Sequence, residues 1–172
     1  VVDLALGPTD HVGHLAKEPT NNLIGGIIRG ALTGEWHSSA RTLQLLFTAD
    51  RSHHLDREVV PALEKGFDVI CDRYFYSSIA YGSLNLDPKW ISTLNINFIK
   101  PDVGFFLDIS PKVALARIRA NRFETELFEK EKELTQVASH YRQIFQKLPS
   151  FHRINAEQDP NTIHKQIYSL LK

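Results

Sequence analysis

The sequence predicts an α/β protein, a three-layer structure in which a parallel sheet carries helices on both faces. Short apolar runs alternate with longer amphipathic segments, which is the pattern of strands joined by crossover helices. Two of the runs, "FDVICD" and "PDVGFFLDIS", are almost continuously apolar, as strands buried inside a parallel sheet are. The length of 172 residues and the lack of repeats or linkers predict a single domain over residues 1–172.

The first half of the chain reads as one strand followed by two helices. A short strand is predicted within residues 11–19, and the helix after it ends at Gly34. The clearest helical pattern spans residues 38–66, where a serine pair can cap the first turn and a glycine follows the last. Because proline lacks an N–H group and clashes with the preceding turn, Pro61 is expected to kink this helix.

The second half continues the alternation of strands and helices. The strand "FDVICD" leads to a helix from about Ser77, and "PDVGFFLDIS" is the next strand. Residues 111–148 are helical with a break in their charge-rich middle, "FHRINAE" is a last strand, and residues 160–172 form a final amphipathic helix. This order favours a sheet of parallel strands.

Composition narrows the class of protein. Lysine and arginine total 20, as do aspartate and glutamate, so the formal net charge is zero. The protein therefore carries no net positive charge that would attract nucleic acid or an anionic membrane. No apolar stretch approaches the roughly 20 residues of a membrane span. Cys71 is the only cysteine, which excludes an internal disulfide and fits a reducing compartment, so a cytoplasmic location and a buried Cys71 are expected.

The junction "VICDRYFYSS" is the first candidate site. If "DVIC" is a buried strand, Asp72 and Arg73 lie at its carboxyl end, where open α/β sheets bind ligands. Asp72 can orient Mg²⁺ or its waters, and the Arg73 guanidinium suits a phosphate. Ser77 and Ser78 fall where a helix would begin and can cap it or contact an anion. The alternative is a surface ion pair followed by an ordinary helix cap.

The segment "LLFTADR" is the second candidate. Phe47 and Arg51 are one helical turn apart and share a face, which places an aromatic ring beside a guanidinium, a workable pair for recognising a base. Alternatively, Phe47 belongs to the core and Arg51 pairs with Asp50 or Glu58 in solvent. Arg29, in the helix after Glu18-Pro19, can reach a phosphate or remain a solvated helix residue.

Two further groups of residues allow more than one interpretation. Arg117, Arg119 and Arg122 cluster near the break in the long helical segment, where a mobile lid or an ordinary charged helix surface is possible. The adjacent His53 and His54 point about 100° apart on a helix, unlike a metal-ligating pair. Both histidines are expected to be surface or cap residues.

The order and spacing of these segments resemble thymidylate kinases, enzymes that phosphorylate dTMP to dTDP with ATP. The resemblance rests on "KEPT", "LLFTADR", "VICDRYFYSSIAYG", "KPDVGFFLDISPKVALARI" and "NRFE", and it covers essentially the whole chain. It implies a P-loop NTPase-like nucleoside monophosphate kinase domain, ATP and Mg²⁺ as cofactors, a homodimer, and no nucleic-acid or membrane partner.

The resemblance also implies roles for individual residues. Phe47 would stack on thymine, Arg51 would bind a base carbonyl, Arg29 and Arg73 would hold the monophosphate, and Asp72 would lie beside Mg²⁺. Glu18, Pro19, Ser77, Ser78 and Tyr81 would shape the nucleoside pocket. Arg119 and Arg122 would act from a lid at about residues 117–130, with Asp72 and Arg73 as the other catalytic residues. Asn155, Ala156, Glu157, Gln158 and Arg122 would contact ATP.

Two departures from the family pattern affect these expectations. Gly82 stands where bacterial relatives usually carry a glutamine over the base, so base selectivity is left open, with other deoxynucleosides or their monophosphates as alternative substrates. No G-x-x-x-x-G-K-[ST] loop occurs, and "VVDLA" resembles the end of the helix that would follow it. Either a first strand and loop are missing from this version of the chain, or the protein is a non-catalytic relative. The lack of methionine favours the first explanation, and the 172 residues alone are expected to be inactive.

Overall fold

The computed structural model describes residues 2–5, 13–121 and 131–171, with residues 2–5 and 118–121 described by their backbone alone. Its strands are Val2–Ala5 (β1), Gly13–Lys17 (β2), Asp68–Asp72 (β3), Val103–Asp108 (β4) and Phe151–Asn155 (β5). Its α-helices are Leu23–Thr33 (α1), Ala40–His54 (α2), Val60–Glu64 (α3), Phe75–Gly82 (α4), Pro88–Asn95 (α5), Pro111–Asn121 (α6), Glu131–Phe145 (α7) and Pro160–Leu170 (α8). A π-helical turn, Leu55–Val59, joins α2 to α3.

The sheet has the strand order β2-β3-β1-β4-β5. The pairs β2–β3 and β4–β5 are parallel, as the alternation of strands and helices predicts. The central strand β1 is antiparallel to both of its neighbours. The expectation that residues 1–5 are the end of a helix is therefore wrong for residues 2–5, which form a strand.

The length of the connection after β1 accounts for its direction. Ala5 lies opposite Val69 and Gly13 lies opposite Asp68, so β1 ends at the edge of the sheet where β2 begins. Parallel strands in one sheet need a crossover of a dozen or more residues, and only residues 6–12 separate β1 from β2. Strand β1 also supplies backbone hydrogen-bond partners to the facing edges of β3 and β4.

The predicted helix over residues 38–66 is continuous but irregular. Ser39 caps it, its hydroxyl accepting a hydrogen bond from the Thr42 N–H at 3.0 Å. The Val60 N–H donates to the Leu55 carbonyl, a five-residue spacing, so the predicted irregularity falls in the turn before Pro61. The wider turn accommodates a proline ring that would otherwise clash with a carbonyl four residues earlier.

Two helices differ from the sequence prediction. The helix after β3 begins at Phe75, with Tyr74 as its cap residue, so Ser77 and Ser78 lie inside it and do not cap it. The side chains of Tyr74, Phe75 and Tyr76 are all buried in the core, so the first turn of this helix is apolar. Helix α5 was not predicted; Asp87 caps it and Pro88 opens it.

The main hydrophobic core lies where helices pack on strands β3 and β4. It combines Leu55 and Val59 of the π turn with the aromatic run of α4 and with Tyr141 and Phe145 of α7. A smaller cluster of Ile28, Ala31 and Leu43 joins α1 to α2. Cys71 is buried, as predicted. None of the helices in the described ranges is both long and apolar enough to cross a bilayer.

Candidate active site

The polar face of α2 holds the loop that follows β2. Asp50 accepts hydrogen bonds from the Thr20 backbone N–H at 2.8 Å and from its hydroxyl at 2.7 Å. Asp50 is 1% exposed and Thr20 is 3% exposed, so these bonds form away from water. A buried carboxylate is stable only when its oxygens are satisfied, and Thr20 provides two donors. The loop is thereby fixed against α2.

Arg51, the next residue, is completely enclosed. Its Nε donates to Glu18 at 2.8 Å, Nη1 donates to Asn95 at 2.6 Å and Nη2 donates to Ser78 at 3.1 Å. Nη2 also lies 2.7 Å from the Glu18 carboxylate. Both N–H groups of Nη2 are therefore directed at protein partners, and the second N–H of Nη1 is the donor left for a ligand carbonyl. The alternative of a solvent-exposed pair with Asp50 or Glu58 is wrong, because the side chain is 1% exposed.

Aromatic rings surround the same guanidinium. The Arg51 Cζ atom lies 5.3 Å from the centre of the Tyr74 ring and 5.9 Å from that of Phe98. Rings at this distance attract a cation through their negative faces. Arg51 is thus held by hydrogen bonds in its plane and by rings around it, which fixes both its position and its orientation.

Arg29 approaches the loop from α1. Its Nη1 donates to the Thr20 carbonyl, and the residue is half-buried. Gly25, one turn earlier, packs directly on the loop, since a Cβ atom there would lie 2.0 Å from the Thr20 carbonyl oxygen. Only a glycine permits this approach of helix and backbone. Arg29 therefore stands beside the loop that Asp50 and Arg51 hold.

Phe47 and Gln44 lie one and two turns before Arg51 on α2. Phe47 is half-buried and packs against the α1–α2 cluster. Gln44 is 4% exposed, and its Cδ and Nε2 lie 3.0 Å from the position of a Cβ at residue 82. Its Oε1 is buried without a hydrogen-bond partner among the described residues. The carboxamide of Gln44 thus occupies the space beside Gly82.

Arg73 follows β3 in a left-handed backbone conformation, with φ of 67°. Such a conformation costs a non-glycine residue about 1 kcal/mol and is common at functional sites. Its guanidinium lies 5.5 Å from the centre of the Tyr81 ring. Desolvation lowers the pKa of Arg73, but the Tyr81 and Tyr141 hydroxyls and the Asp72 carboxylate raise it by more, so it stays cationic. Tyr141 in turn donates to Ser77 at 2.7 Å.

Asp72 is exposed at the carboxyl end of β3. Mg²⁺ in phosphoryl-transfer sites keeps several waters and takes one or two carboxylates together with substrate phosphates. The described residues contain no cluster of three or more metal-ligating side chains. A single exposed carboxylate at this edge fits a hydrated Mg²⁺ that also binds substrate.

A second polar group lies at the ends of β4 and β5. Asp108 accepts hydrogen bonds from Arg142, at 2.9 and 3.2 Å, and from Arg153 at 2.5 Å. Burial raises the pKa of Asp108, but the hydrogen bonds and charges of these two guanidinium groups lower it by more. The pKa of Asp108 therefore lies below its usual value. The backbone carbonyl of Asp108 also accepts from the Ala156 N–H at 2.9 Å.

The loop after β5 is held from three sides. Arg117 of α6 donates to the Ala156 carbonyl at 2.8 Å, and the Ser110 N–H donates to Glu157 at 3.0 Å. The Ser110 side chain, and after it this N–H, lower the pKa of the Glu157 carboxyl. Asn155 accepts from the Glu157 N–H at 3.0 Å. Exposed Asn155, Glu157 and Gln158 are therefore presented on a fixed loop at the carboxyl edge of the sheet.

Comparison with known proteins identifies the family of this chain. The family model for thymidylate kinase matches residues 8–167. A probable thymidylate kinase of Thermococcus kodakarensis is 40% identical over 168 residues, covering 92% of this chain and 82% of the relative. One of Pyrococcus horikoshii is 36% identical, covering 92% and 80%, and a thymidylate kinase of Leptospira interrogans is 36% identical, covering 85% and 72%.

The chain belongs to the thymidylate kinase family. Of the residues that the family resemblance singled out, Glu18, Arg51 and Ser78 meet in one hydrogen-bonded group. Pro19, which follows a cis peptide bond, and Arg29 adjoin this group through the loop that contains Thr20. Arg73, Tyr81 and Ser77 form a second group around Tyr141.

Other predicted thymidylate kinase residues are not joined to this group by a described contact. Phe47 packs with the α1–α2 cluster, so the binding of one nucleotide by Phe47, Arg51 and Arg73 together stays a prediction. Arg119 is described by its backbone in α6, and Arg122 with most of the predicted lid lies outside the described residues.

Sequence reasoning missed several members of the site. His54 was predicted to be a surface or cap residue, yet it is 1% exposed, and its Nδ1 lies 3.2 Å from Glu18. Asp50, Asn95 and Gln44 were also overlooked, and the contact of Arg117 with the loop after β5 was not predicted. Helical spacing was the available signal for α2, because residues 44, 47, 51 and 54 fall on one face. No local signal marks Asn95, which reaches Arg51 only through tertiary packing.

Proposed function

We propose that this protein is a dTMP kinase, which transfers the γ-phosphoryl group of ATP to the 5′-phosphate of dTMP and releases dTDP and ADP. A phosphate oxygen of dTMP forms a bond to the γ-phosphorus while the bond to the bridging oxygen of ADP breaks. Membership of the thymidylate kinase family along residues 8–167 carries the proposal. The buried Arg51, one helical turn after the half-buried Phe47, supports it, because a guanidinium and an aromatic ring at this spacing suit a flat base with polar edges.

The acceptor half of the proposed site lies between α1, α2 and α4. Phe47 stacks on the thymine ring, and the second N–H of Arg51 Nη1 faces a base carbonyl. Glu18, Pro19, Ser78 and Tyr81 enclose the nucleoside. Arg29 and Arg73 bind the monophosphate. Arg29 is half-buried beside the loop after β2, and Arg73 is exposed at the carboxyl end of β3.

The donor half of the proposed site lies at the ends of β3, β4 and β5. Asn155, Ala156, Glu157 and Gln158 contact the adenine of ATP from their fixed loop. Arg119 and Arg122 belong to a lid at about residues 117–130 that closes over the phosphates and neutralises the transferring group together with Arg73. Asp72 would hold Mg²⁺, which when bound would neutralise charge on the phosphate oxygens.

Nucleotide binding tests the acceptor half directly. By isothermal titration calorimetry, dTMP should bind more tightly than dCMP, dGMP or dAMP. Phe47→Ala should weaken dTMP binding about tenfold or more, because an aromatic stack contributes roughly 1–3 kcal/mol. Leu45→Ala, on an exposed position of the same helix, is the matched control and should bind like the parent. Tighter binding of another monophosphate, or no binding of dTMP, would contradict the proposal.

The assembly and location of the protein are also proposed from the family. A homodimer in the cytoplasm is expected, and analytical ultracentrifugation should give a mass twice that of the 19.6 kDa chain. A monomer at micromolar concentration would count against the dimer.

A further inference from the structure

His54, the last residue of α2, lies between two carboxylates. Its Nδ1 atom is 3.2 Å from Glu18 Oε1, and its Nε2 atom is 3.7 Å from Glu58 Oε2. Glu58 is contacted from its other side by His14 of β2 at 3.0 Å. His54 is 1% exposed, whereas its neighbour His53 is exposed.

The two oxygens of Glu18 are divided between two nitrogen donors. Oε2 accepts from the Arg51 Nε, and Oε1 faces the Nδ1 of His54. Because a carboxylate only accepts hydrogen bonds, His54 is the donor in this contact. A carboxylate held at both oxygens from different directions cannot turn about its last torsion. Without His54, Glu18 would be fixed at one oxygen alone.

We propose that His54 is a positioning residue, which orients Glu18 and through it the Arg51 guanidinium in the nucleoside half of the site. This inference rests on the proposed function, since it assigns Arg51 to dTMP binding. The contact with Glu58, at 3.7 Å, is too long for a hydrogen bond, so the working contact is the one through Nδ1. Residues that orient the ligands of a metal ion typically contribute 10–100-fold to metal affinity, and an effect at the lower end of that range is expected here.

Two substitutions test which ring nitrogen of His54 makes the contact that supports dTMP binding. In His54→Asn the new side-chain amide would lie near the former Nδ1 position, whereas in His54→Gln the longer side chain would place it near the former Nε2 position. We expect His54→Asn to bind dTMP within about threefold of the parent and His54→Gln to bind it about tenfold more weakly. His53→Asn should bind like the parent. A role in packing alone would predict the opposite order, because glutamine is closer to histidine in volume.

A double-mutant cycle tests whether Glu18 carries the effect. If His54 acts through Glu18, then His54→Gln should add little to the loss already caused by Glu18→Gln. Dissociation constants for dTMP are measured by calorimetry well below the unfolding temperature of each variant, which thermal melts establish. Equal losses in His54→Asn and His54→Gln, or full additivity with Glu18→Gln, would overturn the inference. Failure of the parent to bind dTMP would instead contradict the proposed function.

Discussion

At the scale of single residues, Arg51 combines a structural and a functional role. Its charge is buried, and removing one partner of a buried pair typically costs about 3–5 kcal/mol because the other charge is left uncompensated. The planar guanidinium reaches Glu18, Asn95 and Ser78 together, which ties α2 to α4, α5 and the loop after β2. A point charge cannot replace this geometry.

Arg51→Lys should therefore destabilise the fold even though the charge is kept. A lysine loses at least two of the hydrogen bonds to buried partners, so we expect a loss of about 2 kcal/mol in the free energy of unfolding. Urea denaturation followed by circular dichroism measures it, with Arg57→Lys, at an exposed position, as the control. Coincident unfolding midpoints for the two variants would refute this assignment.

At the scale of elements, α1 positions the loop by close contact. Its residue Gly25 leaves no room for a Cβ atom against the Thr20 carbonyl, and Arg29 donates to the same carbonyl one turn later. Asp50 holds Thr20 from the opposite side. The loop is thus held by both helices, so we expect a change in the position of α1 to displace the nearby Glu18.

Gly25→Ala and Gly26→Ala form a matched pair that tests this contact. In Gly25→Ala the new methyl group meets backbone, so we expect about 1–3 kcal/mol of destabilisation and weaker dTMP binding. In Gly26→Ala the nearest atom is 3.9 Å away, and the higher helix propensity of alanine should stabilise the fold by up to about 1 kcal/mol. Denaturant unfolding and calorimetry measure both effects. The contact is unimportant if the two variants behave alike.

At the scale of the whole molecule, Asp108 connects three elements at the edge where ligands are expected. It joins β4 to α7 through Arg142 and to β5 through Arg153. Because its pKa is lower in the folded protein than in the unfolded chain, its ionised form stabilises the fold. That contribution is present above about pH 4 and is lost as the pH falls further.

Asp108→Asn should lower the unfolding temperature at pH 7 and reduce the loss of stability in acid. The difference from the parent is expected to shrink as the pH falls from about 4 to 2, since Asp108 becomes protonated there. Thermal melts across this range measure it, with Asp56→Asn at an exposed position as the control. A difference that is constant with pH would show that the carboxylate charge of Asp108 is not involved.

The sequence alone predicted several strands, a helix cap and a helix irregularity, because each depends on residues that are close together in the chain. The apolar runs of β3 and β4, the Ser39 cap and the disruption near Pro61 follow from residues that are neighbours in the chain. The spacing of Phe47 and Arg51, with "DRYFYSSIAY", was enough to indicate the kinase family.

Tertiary structure alone decided which polar groups are buried together. The direction of β1 depends on which strand edges face it, and the burial of His54 depends on Glu18 and on the π turn that follows it. Arg51 could have paired with Asp50, its neighbour in sequence. Instead Asp50 binds Thr20, 30 residues away, and Arg51 binds Asn95, 44 residues away. The reason is that a buried charge is stable only where partners from distant segments converge, and no local pattern encodes that convergence.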